Sequence, residues 1–229
     1  MPLTKVISDI SLYYEKSWQQ IEGLQMSKEL ANLGYSWVHE VGAKKCLDLG
    51  CGDGSNCISL KKIVSEVQGC DISPNAVIKA SRKGIKAKVV DLNHKKLPYQ
   101  KSSFDLIWLT DVIEHVFWPD NLLSNIHETL AQGGHLFLTT PNVSWFINRL
   151  QILRGKTLYD IHPQHVHWFN QKRLLEILSN HGLKIAKFSS YKRIVPYPLS
   201  LKFPSLDKLN FIGPPDNVFS HTYAVLARK

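Results

Sequence analysis

The chain has 229 residues, 44% of them hydrophobic and 21% charged: enough to bury one sizeable α/β core, too few for two ordinary domains with a linker. No apolar run approaches the roughly 18–20 residues that span a bilayer, and no basic segment with an apolar core marks a secretory leader, so a cytoplasmic protein without a membrane span is expected. Lys and Arg number 28 against 19 Asp and Glu, a formal charge of +9, which suits nucleic acid or anionic lipid and equally a solvated basic face with no specific partner.

Residues 1–40 read as helices placed before a sheet, with Tyr13, Tyr14, Trp18, Leu24, Leu30 and Trp37 as apolar anchors. From residue 45 strand-like and helix-like segments alternate, the signature of a parallel sheet covered on both faces. A first strand over 45–49 runs into glycines, and the helix after it presents Ile58, Leu60, Ile63 and Val64. A second strand covers 67–72; Ser73 then caps a helix that Pro74 opens and Gly84 ends. The third and fourth strands are expected at 88–92 and 104–109, the latter apolar enough for burial on both faces. An amphipathic helix over 119–132, closed by Gly133 and Gly134, precedes a fifth strand at 135–139. A helix over 172–180, a sixth strand over 183–188 and a seventh over 221–228, placed at the sheet's edge, complete the pattern.

The fold expected is therefore an α/β, Rossmann-like, mostly parallel sheet in one domain over 1–229. Two segments break the alternation: 141–170, rich in aromatics and histidine, and a Pro-rich loop over 195–217. Ligands of open α/β sheets sit at the carboxyl ends of the strands, so these insertions are expected on the acceptor side. Cys46, Cys51, Cys57 and Cys70 form no CxxC pair and read as reduced core thiols, not zinc ligands.

Four motifs fall in order, each at the end of a successive strand. The first is Cys46-Leu-Asp-Leu-Gly-Cys-Gly-Asp-Gly54, in which Gly50, Gly52 and Gly54 turn the chain from strand to helix. Its G-x-G-x-G spacing puts Ser55 where a dinucleotide fingerprint needs its third glycine, and no G-K-[ST] follows. Asp48, just before the loop, suits a ligand with a cationic amino-acid end. The second is Asp71, placed to accept from both hydroxyls of a ribose. The third is Asp91-Leu92, where an acid can meet the amine of adenine. The fourth runs from Phe104 to His115 and leads a strand into an acidic, histidine-bearing turn.

Together these motifs resemble the class I S-adenosylmethionine (SAM) dependent methyltransferases, from about Lys45 through Asn142 with a weaker echo beyond. The resemblance implies a seven-stranded sheet whose last strand is antiparallel, with 45–142 as the SAM-binding core. It implies that Asp48, Gly50, Cys51, Gly52 and Gly54 cradle the methionine part and that Asp71 holds the ribose. Ile72 would pack on adenine, Asp91 and Leu92 frame its edge, and Leu109, Thr110 and Asp111 line the floor under the sulfonium. Tyr14 and Trp18 either close over the cofactor or pack on the sheet.

Transfer to oxygen usually requires removal of a proton, and His115 and His165 are the candidate catalytic residues; the alternative is that they cap or pack their elements. Asp111-x-x-Glu114-His115 with the later His165-Val-His167-Trp168-Phe169 resembles two subgroups. One is the bacterial methyltransferases of cell-surface glycans and quinones, which implies a small-molecule or glycan acceptor and no metal. The other is the small-RNA 3′-terminal ribose methyltransferases, which implies a divalent metal on Asp111, Glu114, His115 and His165. A SAM-binding scaffold without catalysis is the reading outside enzymes. Thr110-Asp111-Val112-Ile113 stands where base N-methylating enzymes carry N-P-P-Y, which disfavours amino-group methylation of bases.

Overall fold

A computed structural model describes residues 27–94, 96–195 and 209–229. The first described element, α1 (Lys28–Val41), starts where the Ser27 hydroxyl accepts from Leu30 N and ends at Gly42 in the left-handed region. β1 (Lys45–Leu49), α2 (Ser55–Leu60), β2 (Glu66–Asp71), α3 (Pro74–Arg82), β3 (Lys86–Val89) and β4 (Phe104–Thr110) follow. A short 3-10 turn (Ile113–His115) leads to α4 (Pro119–Thr129) and β5 (Leu130–Pro141). The chain then forms α5 (Phe146–Leu153), α6 (Leu158–Ile161), α7 (Gln171–Asn180), β6 (Lys184–Lys192), β7 (Phe211–Gly213) and β8 (Ser220–Arg228).

Among the described residues one sheet carries all the strands, in the order β3-β2-β1-β4-β5-β8-β6-β7. The first five are parallel; β8 runs antiparallel to β5 and β6, and β7 antiparallel to β6. This is the expected Rossmann-like architecture with two corrections. The sheet has eight strands, not seven, because Phe211–Gly213 inside the expected Pro-rich loop pairs with β6; a three-residue strand beside Pro214 and Pro215 is too short to show a period. The last strand is antiparallel as expected but lies between β5 and β6, not at an edge. Its buried run from Thr222 to Ala227 requires cover on both sides.

Two smaller shifts concern the elements around the site. β3 begins two residues earlier than its sequence pattern suggests, which leaves Asp91 beyond the strand; as an edge strand bearing Lys86 and Lys88 it has no clean alternation. α4 stops at Thr129 because Leu130 already pairs with Phe104. Residues 131–134 then bulge before His135 pairs with Leu106, and a Cβ on Gly134 would lie 2.9 Å from Ala131 O.

The period-2 alternation of the strands divides the core. Ile107 and Leu109 of β4 face one layer, with Leu122, Leu123 and Ile126 of α4 and Leu174 and Leu178 of α7. Leu106 and Trp108 face the other, with Leu30, Trp37 and Val38 of α1, Leu60 of α2 and Ala80 of α3. Trp108 stacks on Phe137 at 4.1 Å, and Gly34 lets α1 settle onto that pair; a Cβ there would lie 2.5 Å from Trp108. All four cysteines are free and buried. Tyr13, Tyr14, Trp18 and Leu24 lie outside the described residues, as does most of 195–217.

Candidate active site

β1 delivers Leu47 and Leu49 to the α4–α7 layer and therefore turns Cys46 and Asp48 toward the α1–α3 layer. Asp48 is only 1% exposed. Its Oδ2 accepts from Cys57 Sγ at 3.3 Å, while Oδ1 is buried without a hydrogen-bond partner among the described residues. Burial pushes its carboxyl up to about 7, the Cys57 bond pulls the other way, and the Asp71 charge adds a smaller upward push. An unpaired buried carboxylate is costly, and a cation brought to Oδ1 would relieve that cost.

The loop after Asp48 is pinned to the end of β2, where Gly50 N and Cys51 N both donate to Cys70 O at 2.8 Å. Gly50 and Gly54 hold φ near +80°, where a side chain is strained. Their missing Cβ atoms make room for the protein itself. A Cβ on Gly50 would lie 2.5 Å from Val112 Cγ2, and one on Gly54 3.0 Å from Ala80 Cβ. The Val112 contact presses the glycine loop against the turn that carries Glu114 and His115.

Asp71, 8% exposed, holds that loop as well: Oδ2 accepts from Gly52 N and Oδ1 from Ser73 N, both at 2.9 Å. Ile72 is half-buried beside it. Asp91 Oδ1 accepts from Asn93 N and Nδ2 at 2.9 Å, and Leu92 points into the α4–α7 core. Leu109 is also wholly inside that core, which leaves its backbone, Thr110 and Asp111 at the strand end.

Asp111 is a non-glycine residue at φ +53°. It is held there by Asp111 N donating to Thr139 O and by Thr139 Oγ1 donating to its Oδ1 at 2.9 Å. Burial raises its carboxyl pKa. Glu114 is 2% exposed; Thr140 Oγ1 donates to its Oε2 at 3.0 Å, and Oε1 has no hydrogen-bond partner among the described residues. Burial first, and then the neighbouring Asp111, hold its carboxyl well above the usual range.

His115 Nδ1 lies 3.0 Å from Gln164 O. A carbonyl only accepts, so Nδ1 carries the proton and Nε2 is the basic nitrogen, 4.0 Å from Glu114 Oε1. Burial lowers the His115 pKa, which keeps the ring neutral at pH 7. His165 meets His115 edge-on at 4.8 Å and stacks on His162 at 4.6 Å. Burial and these two rings press its pKa down to about 3. His167 is tied down differently, Nε2 to Phe117 O at 3.2 Å and Nδ1 to Arg173 at 3.3 Å.

One ligand atom each from Glu114, His115 and His165 falls within 4.8 Å of the others; Asp111, the fourth residue of the implied metal set, stays on Thr139 and outside the group. Trp145 and Phe169 are core, the former donating to Arg193 O at 3.0 Å. The sequence reading missed Thr139, Thr140 and the Gln164 carbonyl, which do the orienting. It also missed His162 and His221, the latter half-buried and edge-on to Trp145, its pKa pressed down to about 3 by desolvation first and then by Arg193 and His162. The three-residue spacing of His162 and His165 was the one available signal.

The unpartnered Asp48 oxygen, the acid ending β2 and the glycine turn form a donor set suited to a ligand with a cationic amino-acid end and a ribose. A family model described as a methyltransferase domain matches residues 23–187. The chain belongs to this methyltransferase family. Its cofactor is S-adenosylmethionine. Among curated relatives, the ubiquinone biosynthesis O-methyltransferase of Albidiferax ferrireducens is 24% identical over 160 residues, covering 66% of this chain and 64% of that protein. The mitochondrial ubiquinone biosynthesis O-methyltransferase of Candida albicans is 29% identical over 160 residues, covering 62% and 47%. The chain thus spans less than two thirds of the length of these relatives.

Among solved structures, a Burkholderia thailandensis 1,6-didemethyltoxoflavin-N1-methyltransferase with S-adenosylhomocysteine bound aligns with a TM-score of 0.67 at 14% identity, covering 100% of this chain and 92% of the other. The [4+2]-cyclase SpnF aligns at 0.60 and 19%, covering 92% and 84%. At these identities the likeness is one of fold, and the cyclase illustrates how little a fold fixes the reaction. No helix of the described residues is long and apolar enough to cross a membrane.

Proposed function

We propose that this methyltransferase transfers the methyl group to a hydroxyl oxygen of a small-molecule acceptor, with His115 as the base. The observation that carries the reading is the contact of His115 Nδ1 with Gln164 O at 3.0 Å: a carbonyl only accepts, so Nδ1 holds the proton and Nε2, at the end of β4 beside the cofactor loop, is the nitrogen able to accept one. SAM supplies an activated methyl on a sulfonium, so the chain's task is to align an acceptor lone pair and exclude water. Asp48 and the loop to Gly54 hold the amino-acid end, Asp71 the ribose, and Ile72 and Asp91 the adenine, while the Leu92 side chain, turned into the core, only backs that site. Thr110 and Asp111 form the floor.

His115 Nε2 takes the hydroxyl proton as the oxygen attacks. His165 lines the acceptor side, kept neutral by its neighbours and unable to repel the imidazolium that forms. The 141–170 segment supplies the acceptor wall within a single domain over 1–229. The relatives described above, O-methyltransferases of ubiquinone biosynthesis, favour an oxygen acceptor of small-molecule type, with a glycan hydroxyl of the same chemistry. Four buried free thiols suit a reducing cytoplasm.

A second reading rests on the convergence of Glu114, His115 and His165. These side chains would hold a divalent ion that grips acceptor oxygens, as for the vicinal hydroxyls of an RNA terminal ribose, and the ion would replace the histidine base. The test is methyl transfer from labelled SAM to phenolic, sugar and RNA-terminal hydroxyls, with and without chelator. Transfer to small hydroxyls that survives the chelator and is lost in His115→Ala supports the first reading. Loss with chelator, restored by manganese or magnesium, moves the assignment to the metal. SAM binding without transfer to any acceptor leaves a scaffold.

A further inference from the structure

Helix α5 is inside out. Its only buried residue is polar Asn148, which donates to the carbonyls of Asn142 and Val143, while Leu150, Ile152 and Leu153 stand in solvent, Leu153 at 82% exposure. A surface helix of a globular protein normally shows the reverse. The apolar surface continues onto the neighbouring loop: Phe146 N donates to Val218 O, Phe146 packs on Phe219, and Val218 and Phe219 are themselves exposed. Tyr159 of α6, 66% exposed, lies just beyond.

Exposed apolar surface of this extent marks a contact, and the charge around it says with what. Arg149, Arg154 and Lys156 stand exposed within and just after α5, Arg149 with its guanidinium on the Ser144 and Asn217 carbonyls; of the carboxylates nearby, Asp160 is turned onto Thr157 as a helix cap and Asp216 is paired with Lys192 while capping Val218 and Phe219. The whole chain carries +9. Leucines facing outward with Arg and Lys between them are the pattern of a segment that lies in a lipid interface, its apolar residues in the acyl boundary and its cations at the phosphates.

We propose that α5, α6 and the Val218–Phe219 loop dock this enzyme reversibly on the surface of an anionic bilayer. The patch begins directly after β5, on the side where the strands end and His115 and His165 sit, so docking turns the acceptor side toward the lipid. The inference stands apart from the oxygen-transfer reading, since it concerns the outer surface and not the reacting groups.

The experiment is co-sedimentation of the full chain with vesicles of phosphatidylcholine alone and with one-third phosphatidylglycerol, for wild type, Leu150→Glu/Leu153→Glu and Arg154→Glu/Lys156→Glu. All four positions are exposed, so the fold is expected to survive, and unchanged SAM affinity serves as the control. Wild type should pellet with the anionic vesicles and be released by salt. Each cation replaced by glutamate changes the charge by two and should weaken partitioning about 30-fold, at about 1 kcal/mol per charge near the surface, and the leucine pair should abolish it. No pelleting of wild type, or equal pelleting of wild type and variants, overturns the proposal. So does a result in which the leucine variant only turns a dimer into a monomer, or in which the cations bind RNA and not vesicles.

Discussion

Replacing Asp48 with Asn tests whether the buried carboxylate behind the glycine loop is held in readiness for a cation. In the unfolded chain this group titrates near the ordinary 3.8, and in the fold burial moves it up to about 7. A gap of about three units is worth about 4 kcal/mol at 1.36 kcal/mol per unit. The folded state binds the proton more tightly, so the sign is fixed. Below about pH 4 both states are protonated and nothing is lost. As the pH rises toward 7 the group costs the fold progressively more. Asp48→Asn removes that slope, although its amide must share the site of the unpartnered Oδ1, a cost of about 1–3 kcal/mol. Chemical denaturation from pH 4.5 to 8 should therefore show the variant equal to or below wild type at the acid end and about 1–3 kcal/mol above it at pH 8. SAM affinity should fall in the same variant. Binding to wild type at pH 6 should release close to one proton, read by calorimetry in buffers of different ionisation heat. Parallel stability curves for the two proteins would refute the reasoning, because they would mean that Asp48 does not titrate in this window.

Four further outcomes follow from the site and the fold. His115→Ala should lower turnover by about 10²–10⁴-fold and leave the SAM dissociation constant within about twofold; equal losses in both would make it structural. Asp71→Asn should weaken SAM by about 10–100-fold through one charge-assisted bond, with some loss of stability because Gly52 N and Ser73 N both rely on that carboxylate. Glu114→Gln should leave activity within about threefold if no metal is used, and abolish a manganese or magnesium dependence if one is. Gly34→Ala should destabilise the protein by about 1–3 kcal/mol in urea, since the new Cβ meets Trp108 and Phe137; an unchanged midpoint would mean that α1 does not sit on that aromatic pair.

The sheet was legible because strand-like stretches alternate with helix-like ones and are closed by strong signals: Gly50 after β1, Ser73-Pro74 after β2, Pro141 at the end of β5. What escaped is β7, whose three residues carry no period, and the position of β8, which depends on long-range pairing with β5, from Pro141 against Thr222 to His135 against Arg228. In the candidate site, acids at strand ends could be placed from spacing alone, because the end of a strand fixes where the next residue stands. Their second duties could not. Nothing in the sequence says that Asp71 ties down Gly52, that Gly50 makes room for Val112, or that Thr139 and Thr140 steady Asp111 and Glu114. Those contacts join segments far apart in the chain and depend on side-chain direction. The same holds for α5: from sequence 141–170 is only an insertion that breaks the alternation, and nothing in it says that Asn148 faces inward and Leu150 and Leu153 outward.

The most direct test of the account is a calorimetric titration of S-adenosylmethionine into the wild-type chain and into Asp71→Ala. The account predicts micromolar binding to wild type and loss of measurable binding in the variant, which should still unfold cooperatively. No binding to wild type, or an unchanged affinity in Asp71→Ala, would contradict it.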